Sequence, residues 1–232
     1  MFKMAKLYSY IIPVDDGAAP NPFGGVCTLT ICKPAIRRNA TEGCWVIGTG
    51  SKHTQLRDGH TYDFSKSLVY AMKVTDRKTL AEYDKHCVAN LKIKIPDKQS
   101  RKFEKQVGDC IYDYSNGSQP FQRAGVHELG NIATDLRGEN ALLSDHFYYF
   151  GSKPVQIPKK LQSIIHTTQN CKLIRDAAVI AMFENWISQY QQNTIYAEPQ
   201  QEYRFGNSAD DCRIECSSKR QKNNEGKNDT LC

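Results

Sequence analysis

The chain has no long apolar run. No stretch approaches the roughly 18 unbroken apolar residues of a membrane-spanning helix. The longest candidate, Leu7 to Val14, is too short and runs into Asp15-Asp16, so it reads neither as a span nor as a secretory leader. The expectation is a soluble, cytoplasmic protein with no membrane partner. Cysteine pairs at metal-ligand spacing are also missing. Cys27-x4-Cys32 and Cys212-x3-Cys216 are not Cys-x-x-Cys pairs, and no histidine follows at a finger-like distance, so no metal is expected. The nine cysteines are an odd number without a leader, which makes reduced thiols the default. Nothing in their spacing singles out one as a nucleophile. Gly48-Thr49-Gly50-Ser51 is rich in glycine, yet it carries neither the P-loop pattern nor the third glycine of the dinucleotide fingerprint. It reads as a tight turn closing a strand, and no cofactor is expected. No internal repeat is present.

What is there suits an ordinary globular protein. The 232 residues are 40% hydrophobic and 24% charged, enough for one large domain or a domain with an appendage. The formal net charge of +6 permits an anionic partner without requiring one.

The stretch from Ala19 to Ser51 organises the rest. Pro20, Pro22, Gly24 and Gly25 constrain the loop that carries Asn21 and Phe23. Cys27 to Cys32 is an apolar run, broken by Lys33-Pro34. Ala35 to Ala40 makes one or two helical turns, with Ile36 and Ala40 inward and Arg37 and Arg38 outward. Trp45 begins a strand that ends at the glycine-rich turn. Asn21, Lys33 and Arg37 are thereby held beside apolar segments, an arrangement suited to an anion or a planar polar ligand.

Lys6 to Val14 reads as a first strand and Ser67 to Val74 as a strand buried on both sides. Thr79 with Glu82 forms a capping box that opens a helix through Cys87. Ala89 to Lys105 is an irregular basic connection. Val107 to Tyr114 and Asn140 to Gly151 read as further strands. From Pro158 the period becomes helical: Lys159 to Thr168, then an amphipathic helix from Leu173 to Tyr190. The polar residues 206–232 cannot offset their ordering entropy and are expected to be disordered. The fold expected is α+β: a curved, mostly antiparallel sheet or small β-barrel with short helices over residues 1–157, then a C-terminal helical extension, 158–198, packed on it.

Several groups can carry chemistry, and each has a plain structural alternative. Lys33, Arg37 and Arg38 can pair with phosphate or line a solvated helix face. His127, with Asp109 or Asp145, can supply acid-base chemistry, or the three can be a structural histidine and two turn residues. Tyr112, Tyr148, Tyr149, Phe147 and Phe150 can stack on a base or fill the core.

Taken in order, LYSYIIPVDDGAAPNPFGGVCTLTICKPAIRRNATEGCWVIGTGS, SLVYAMKV, EYD, GDCIYDY, the His127 region and LLSDHFYYFG resemble the nucleotide modification associated domain family, type 2. The resemblance covers roughly Lys6 to Pro158. It implies a place in bacterial or phage systems that modify nucleic-acid bases. It also implies that Asn21, Lys33, Arg37, Trp45, Asp109, Tyr112, Gln122, His127, Asp145 and Tyr149 match family motif positions. Two positions depart from the family: Gly43-Cys44-Trp45 stands where it reads Gly-Asp-Trp, and Gly108-Asp109-Cys110 where it reads Gly-Asp-Asn. In shape the order of elements is similar to base-reading barrels of the pseudouridine-synthase and archaeosine-transglycosylase type, which hold a flipped base in an aromatic pocket.

Two functions follow from this reading. In the first, the protein binds a modified nucleobase, nucleotide or nucleic acid: Lys33 and Arg37 take phosphate, Trp45 and Tyr149 stack, and Asn21, Gln122 and Asp145 read the polar edge. Tyr112 belongs to the same ligand set. In the second, it is an enzyme with His127 as general acid/base and Asp109 or Asp145 orienting it. The C-terminal helix also offers a docking face for a protein partner or a second copy.

Overall fold

The computed structural model describes residues 6–168 and 170–201. The polar tail expected to be disordered, 206–232, lies outside the described residues.

The chain runs β1 (Leu7–Ile12), β2 (Cys27–Leu29), α1 (Pro34–Asn39), β3 (Trp45–Gly50), and a small hairpin of β4 (Thr54–Gln55) and β5 (Thr61–Tyr62). There follow β6 (Ser67–Lys73), β7 (Asp76–Thr79), α2 (Leu80–Asn90), α3 (Phe103–Gln106), and a second hairpin of β8 (Tyr112–Asp113) and β9 (Phe121–Gln122). The rest is α4 (Ile132–Leu136), β10 (Asn140–Ser144), β11 (Phe147–Tyr149), β12 (Val155–Gln156), β13 (Cys171–Ile174), α5 (Ala177–Ile187) and β14 (Thr194–Ile195). Short 3₁₀ helices cover Lys92–Lys94, Leu129–Asn131 and Lys159–Ile164.

The main sheet has the order β13-β1-β3-β6-β11-β14, with β12 also on β6. The pairs β1–β3 and β11–β14 are parallel and the other pairs antiparallel. A second, antiparallel sheet has the order β2-β10-β7. The two sheets pack face to face. Tyr8, Tyr10 and Ile12 of β1, Tyr70 and Met72 of β6 and Tyr149 of β11 meet Cys27, Leu29 and Leu142 of the small sheet and Ile36 of α1. The opposite face of the main sheet presents Leu7, Trp45, Ile47, Tyr148 and Phe150 to Ile180, Phe183 and Ile187 of α5. The outer face of the small sheet, through Ala141 and Leu143, packs on Leu80, Tyr83 and Cys87 of α2. The period of two along the strands thus sorts side chains into successive layers: α5, main sheet, small sheet, α2.

The α+β class and the mostly antiparallel sheet hold, but the barrel does not. The main sheet is open, with β13 and β14 at its edges, because its apolar faces are covered by a second sheet and a helix and closure is not needed. The single strand expected from Asn140 to Gly151 is two. The chain turns at Asp145-His146 and passes from the small sheet to the main one. The helix expected from Leu173 begins later. Residues Cys171 to Ile174 add a strand to β1, and Asp176 then caps α5 by accepting from the amides of Ala178 and Val179. Residues 158–198 therefore supply two strands of the main sheet as well as one α-helix, and are not solely a helical extension. The Thr79–Glu82 capping box is formed, each side chain bonding the other's amide.

Candidate functional site

Past the end of β2 the chain makes a sharp turn into α1. Cys32 and Lys33 both take left-handed backbone conformations, with φ of 57° and 38°, and Pro34 starts the helix. Each such non-glycine residue stores about 1–3 kcal/mol of strain and persists only where its surroundings hold it. They do. The Cys32 amide donates to Asp135 Oδ1 at 2.9 Å, and Arg37 Nε donates to the Cys32 carbonyl at 2.8 Å. The thiol is left on a clamped turn, part exposed.

Across from it sits His127, whose Nε2 is 3.3 Å from Cys32 Sγ and whose Nδ1 is 2.5 Å from Asp135 Oδ2. The Tyr112 hydroxyl donates to that same carboxylate oxygen at 2.9 Å, and Gln122 Nε2 holds the His127 carbonyl at 2.8 Å. Burial pulls the imidazole pKa down, but the Cys32 sulfur and the bonded Asp135 carboxylate outweigh it and raise it well above the ordinary value. Burial pushes Asp135 up, and the His127 bond, its charge and Arg37 together pull it below the usual carboxylate range. Asp16, on the loop after β1, also stands in the field of His127. A thiol, an imidazole and a carboxylate in line are the parts of a nucleophilic centre: nucleophile, base, and a group that fixes the base's tautomer.

Arg37 buttresses this centre from behind. It was expected to face outward; instead it is fully buried. Its guanidinium donates to the carbonyls of Cys32 (2.8 Å), Asp135 (2.5 Å) and Asn140 (3.1 Å), tying α1, α4 and β10 together. Gly138 makes room for it: a Cβ there would lie 2.1 Å from Arg37 Cζ. With its donors engaged by main-chain carbonyls, Arg37 is not presented to a phosphate.

Asp109 belongs to a second, internal cluster. Its carboxylate accepts from Thr28 (2.6 Å) and Tyr83 (2.8 Å), and its carbonyl accepts from Thr30. Burial raises its pKa against the opposing pull of Lys94. Lys94, itself fully buried and lowered by burial to about 8, donates to the carbonyls of Asn21 and Val26 and to Asn21 Oδ1, at 2.7–2.8 Å. Asn21 in turn donates to Val107 O. Asp109 and Asn21 thus pin the Asn21–Phe23 loop, β2 and Thr30 to the chain after α3.

The remaining positions are spread out. Trp45 is buried on the α5 side of the main sheet. Its ring meets Phe183 at 5.2 Å and its Nε1 donates to Glu184. Tyr149 is buried on the opposite face and donates to Asp15 at 2.6 Å. The two rings cannot sandwich one base. Asp145 is exposed on the turn between β10 and β11, bonded to Thr75 and Gln192. Lys33 reaches over the Tyr10 ring at 4.8 Å. Of the positions expected to matter, the structure gathers His127, Tyr112, Gln122 and Arg37 around one point and adds Cys32 and Asp135. The orienting carboxylate is Asp135, not Asp109 or Asp145. Neither Cys32 nor Asp135 carried a signal in the sequence: Cys32 is one of nine scattered cysteines, and Asp135 lies in a stretch of ambiguous pattern. Of the two departures from the family pattern, Cys44 is a buried thiol 3.6 Å from the Thr41 hydroxyl, and Cys110 is a buried thiol that donates to the Asp84 carboxylate at 3.7 Å and accepts from Arg123 at 3.5 Å.

Fold and site together define a layered α+β protein with a thiol–imidazole–carboxylate centre on a strand-to-helix turn. The family model "nucleotide modification associated domain 2" matches residues 4–206, and the chain belongs to that family, which places it in a nucleic-acid modification context. The match includes the C-terminal strands and α5, beyond the span that the sequence motifs cover. Neither curated proteins nor solved structures gave a match. Among the described residues no helix is long and apolar enough to cross a membrane.

Proposed function

We propose that this protein is an enzyme of nucleotide modification that transfers an acyl group through a covalent bond to Cys32. The observation that carries the reading is the alignment of Cys32 Sγ, His127 and Asp135 at 3.3 and 2.5 Å. His127 Nε2, its pKa raised, holds the thiol proton as an imidazolium, and Sγ attacks as a thiolate the carbonyl carbon of an amide or ester on the nucleotide. The leaving amine or alcohol departs with that proton from Nε2, and a thioester remains. An amine or water then gives its proton to Nε2 and displaces Sγ, which leaves as a thiolate beside the imidazolium and so restores the starting pair. Asp135 holds Nδ1 and balances the imidazolium; Tyr112 and the Cys32 amide fix the carboxylate in turn. A purely binding role through stacking on Trp45 and Tyr149 has less support, because both rings are buried and on opposite faces.

The test uses p-nitrophenyl acetate as a generic acyl donor. A rapid burst of p-nitrophenol, with acetate on Cys32 by peptide mass spectrometry, is expected and should vanish in Cys32→Ser and His127→Asn. Slow acetylation scattered over several cysteines, indifferent to His127, would sink the reading.

A further inference from the structure

The basic connection after α2 is folded into a surface that the reaction does not use. Lys92, Lys98, Arg101, Lys102 and Lys105 are exposed along it, while Lys94 alone turns inward. Between Lys98 and Lys105 only one acid, Glu104, interrupts them. Gln106 bonds the Ser100 carbonyl and Asp97 receives the Gln99 amide, so the segment is shaped by its own polar contacts and presents its cations outward. Among the described residues Arg101, Lys102 and Lys105 enter no ion pair.

This surface and the Cys32 centre are built on one apolar cluster. Phe103, at the start of α3, packs edge-on against Phe23 at 6.2 Å and carries the Arg57 guanidinium over its ring at 5.2 Å. The apolar cluster beneath it contains Ile31 and Val126, the neighbours of Cys32 and His127 in the chain. One small core therefore underlies both the reacting groups and the cations in and before α3.

We infer that Arg57, Arg101, Lys102 and Lys105 form a nucleic-acid docking surface, so that the substrate of the Cys32 centre is a base within a strand and not a free nucleotide. The inference rests on the reading of Cys32 as the reacting group, and adds the class of its substrate. Clustered cations on the core that also carries the reaction centre suit a repeating phosphate backbone, since each neutralised phosphate releases counterions and extends the contact without reading sequence.

Binding of fluorescent single- and double-stranded DNA and RNA oligonucleotides is measured by anisotropy across a salt series. The triple variant Arg101→Gln, Lys102→Gln, Lys105→Gln is compared with a control of equal charge change on the α5 side, Lys153→Gln, Lys159→Gln, Lys160→Gln, whose residues are also exposed. The α3 triple should lower affinity at least tenfold at low salt. It should flatten the slope of log K against log salt by about 2, at roughly 0.7–0.9 per lost phosphate contact. The control should stay within about twofold of wild type.

Equal loss in both triples would reduce the effect to net charge and overturn the proposal, as would no oligonucleotide binding by wild type at low salt. Full competition by a mononucleotide at matched phosphate concentration would overturn it in favour of a free-nucleotide substrate. Preference for phosphatidylserine vesicles over oligonucleotides would overturn it in favour of a lipid surface. Cys32→Ser should bind oligonucleotides as wild type does, so loss of acyl transfer and loss of docking are read separately.

Discussion

His127 Nδ1 stands 2.5 Å from Asp135 Oδ2, and the same imidazole points its other nitrogen at the sulfur of Cys32. The carboxylate therefore both orients the ring and raises its pKa. In Asp135→Asn the charge is gone while an oxygen can still accept from the Cys32 amide. Acetylation of Cys32 should fall on the order of 100-fold or more. A raised His127 pKa stabilises the fold below the unfolded value, about 6.5, and that stabilisation is lost as pH rises through the folded value. In the variant the imidazole should titrate at lower pH by NMR. An unchanged titration would mean that Asp135 does not set the state of His127.

Asp15 offers a second pH test. It is buried, bonded to Tyr149, and pushed up to about 7, chiefly by burial. Its native form holds a proton that the unfolded chain has already released near pH 4. Its contribution is thus fully present below about 4 and is lost as pH rises through 7, by up to about 4 kcal/mol. Asp15→Asn keeps an acceptor for Tyr149 and removes the titration. Urea unfolding from pH 5 to 8 should show the variant gaining on wild type as pH rises. Parallel profiles would show that Asp15 titrates normally in the folded protein.

These tests bear on residues that differ in how far the sequence revealed them. The strand of β6, buried on both sides, and the Thr79–Glu82 cap were legible because they depend on neighbours in the chain. The exchange from β10 to β11 at Asp145-His146 was not, because both halves alternate alike and only the partner strands distinguish them. Arg37 misled for a related reason. A helical period assigns arginine to solvent, and only the carbonyls of Cys32, Asp135 and Asn140, two of them about a hundred residues away, make an inward guanidinium stable. His127 was picked out by its chemistry, but its partners Cys32 and Asp135 are joined by the fold and by no spacing. The family likeness supplied positions without saying which of them meet.

Arg37 should be among the most sensitive positions in the chain. Arg37→Ala leaves three buried carbonyls without donors and frees the Cys32 turn, which should cost about 3–5 kcal/mol. Gly138→Ala tests the same packing from outside, since its new methyl would overlap the guanidinium. A loss of about 1–3 kcal/mol is expected, with slower Cys32 acetylation in the fraction still folded. Denaturant midpoints read the first effect and mass spectrometry the second. A neutral Gly138→Ala would show that Arg37 can move aside and does not hold the turn.

Trp45 separates a structural role from a ligand-stacking one. Its ring fills the space between β3 and α5 against Phe183, and its indole nitrogen donates to Glu184 at 2.8 Å, beside the Lys73–Glu184 ion pair. Trp45→Phe keeps much of the packing and removes the donor, so the loss should be about 1–2 kcal/mol. Trp45→Ala opens a cavity and should lose about 3–5 kcal/mol. In both variants Cys32 acetylation, corrected for the folded fraction, should match wild type, because the ring faces away from the small sheet and its β2–α1 turn. Oligonucleotide affinity should be unchanged by the same argument. If Trp45→Phe kept full stability but lost affinity for oligonucleotides containing a modified base, the indole would be a stacking surface after all, and α5 would have to swing away from the sheet to expose it.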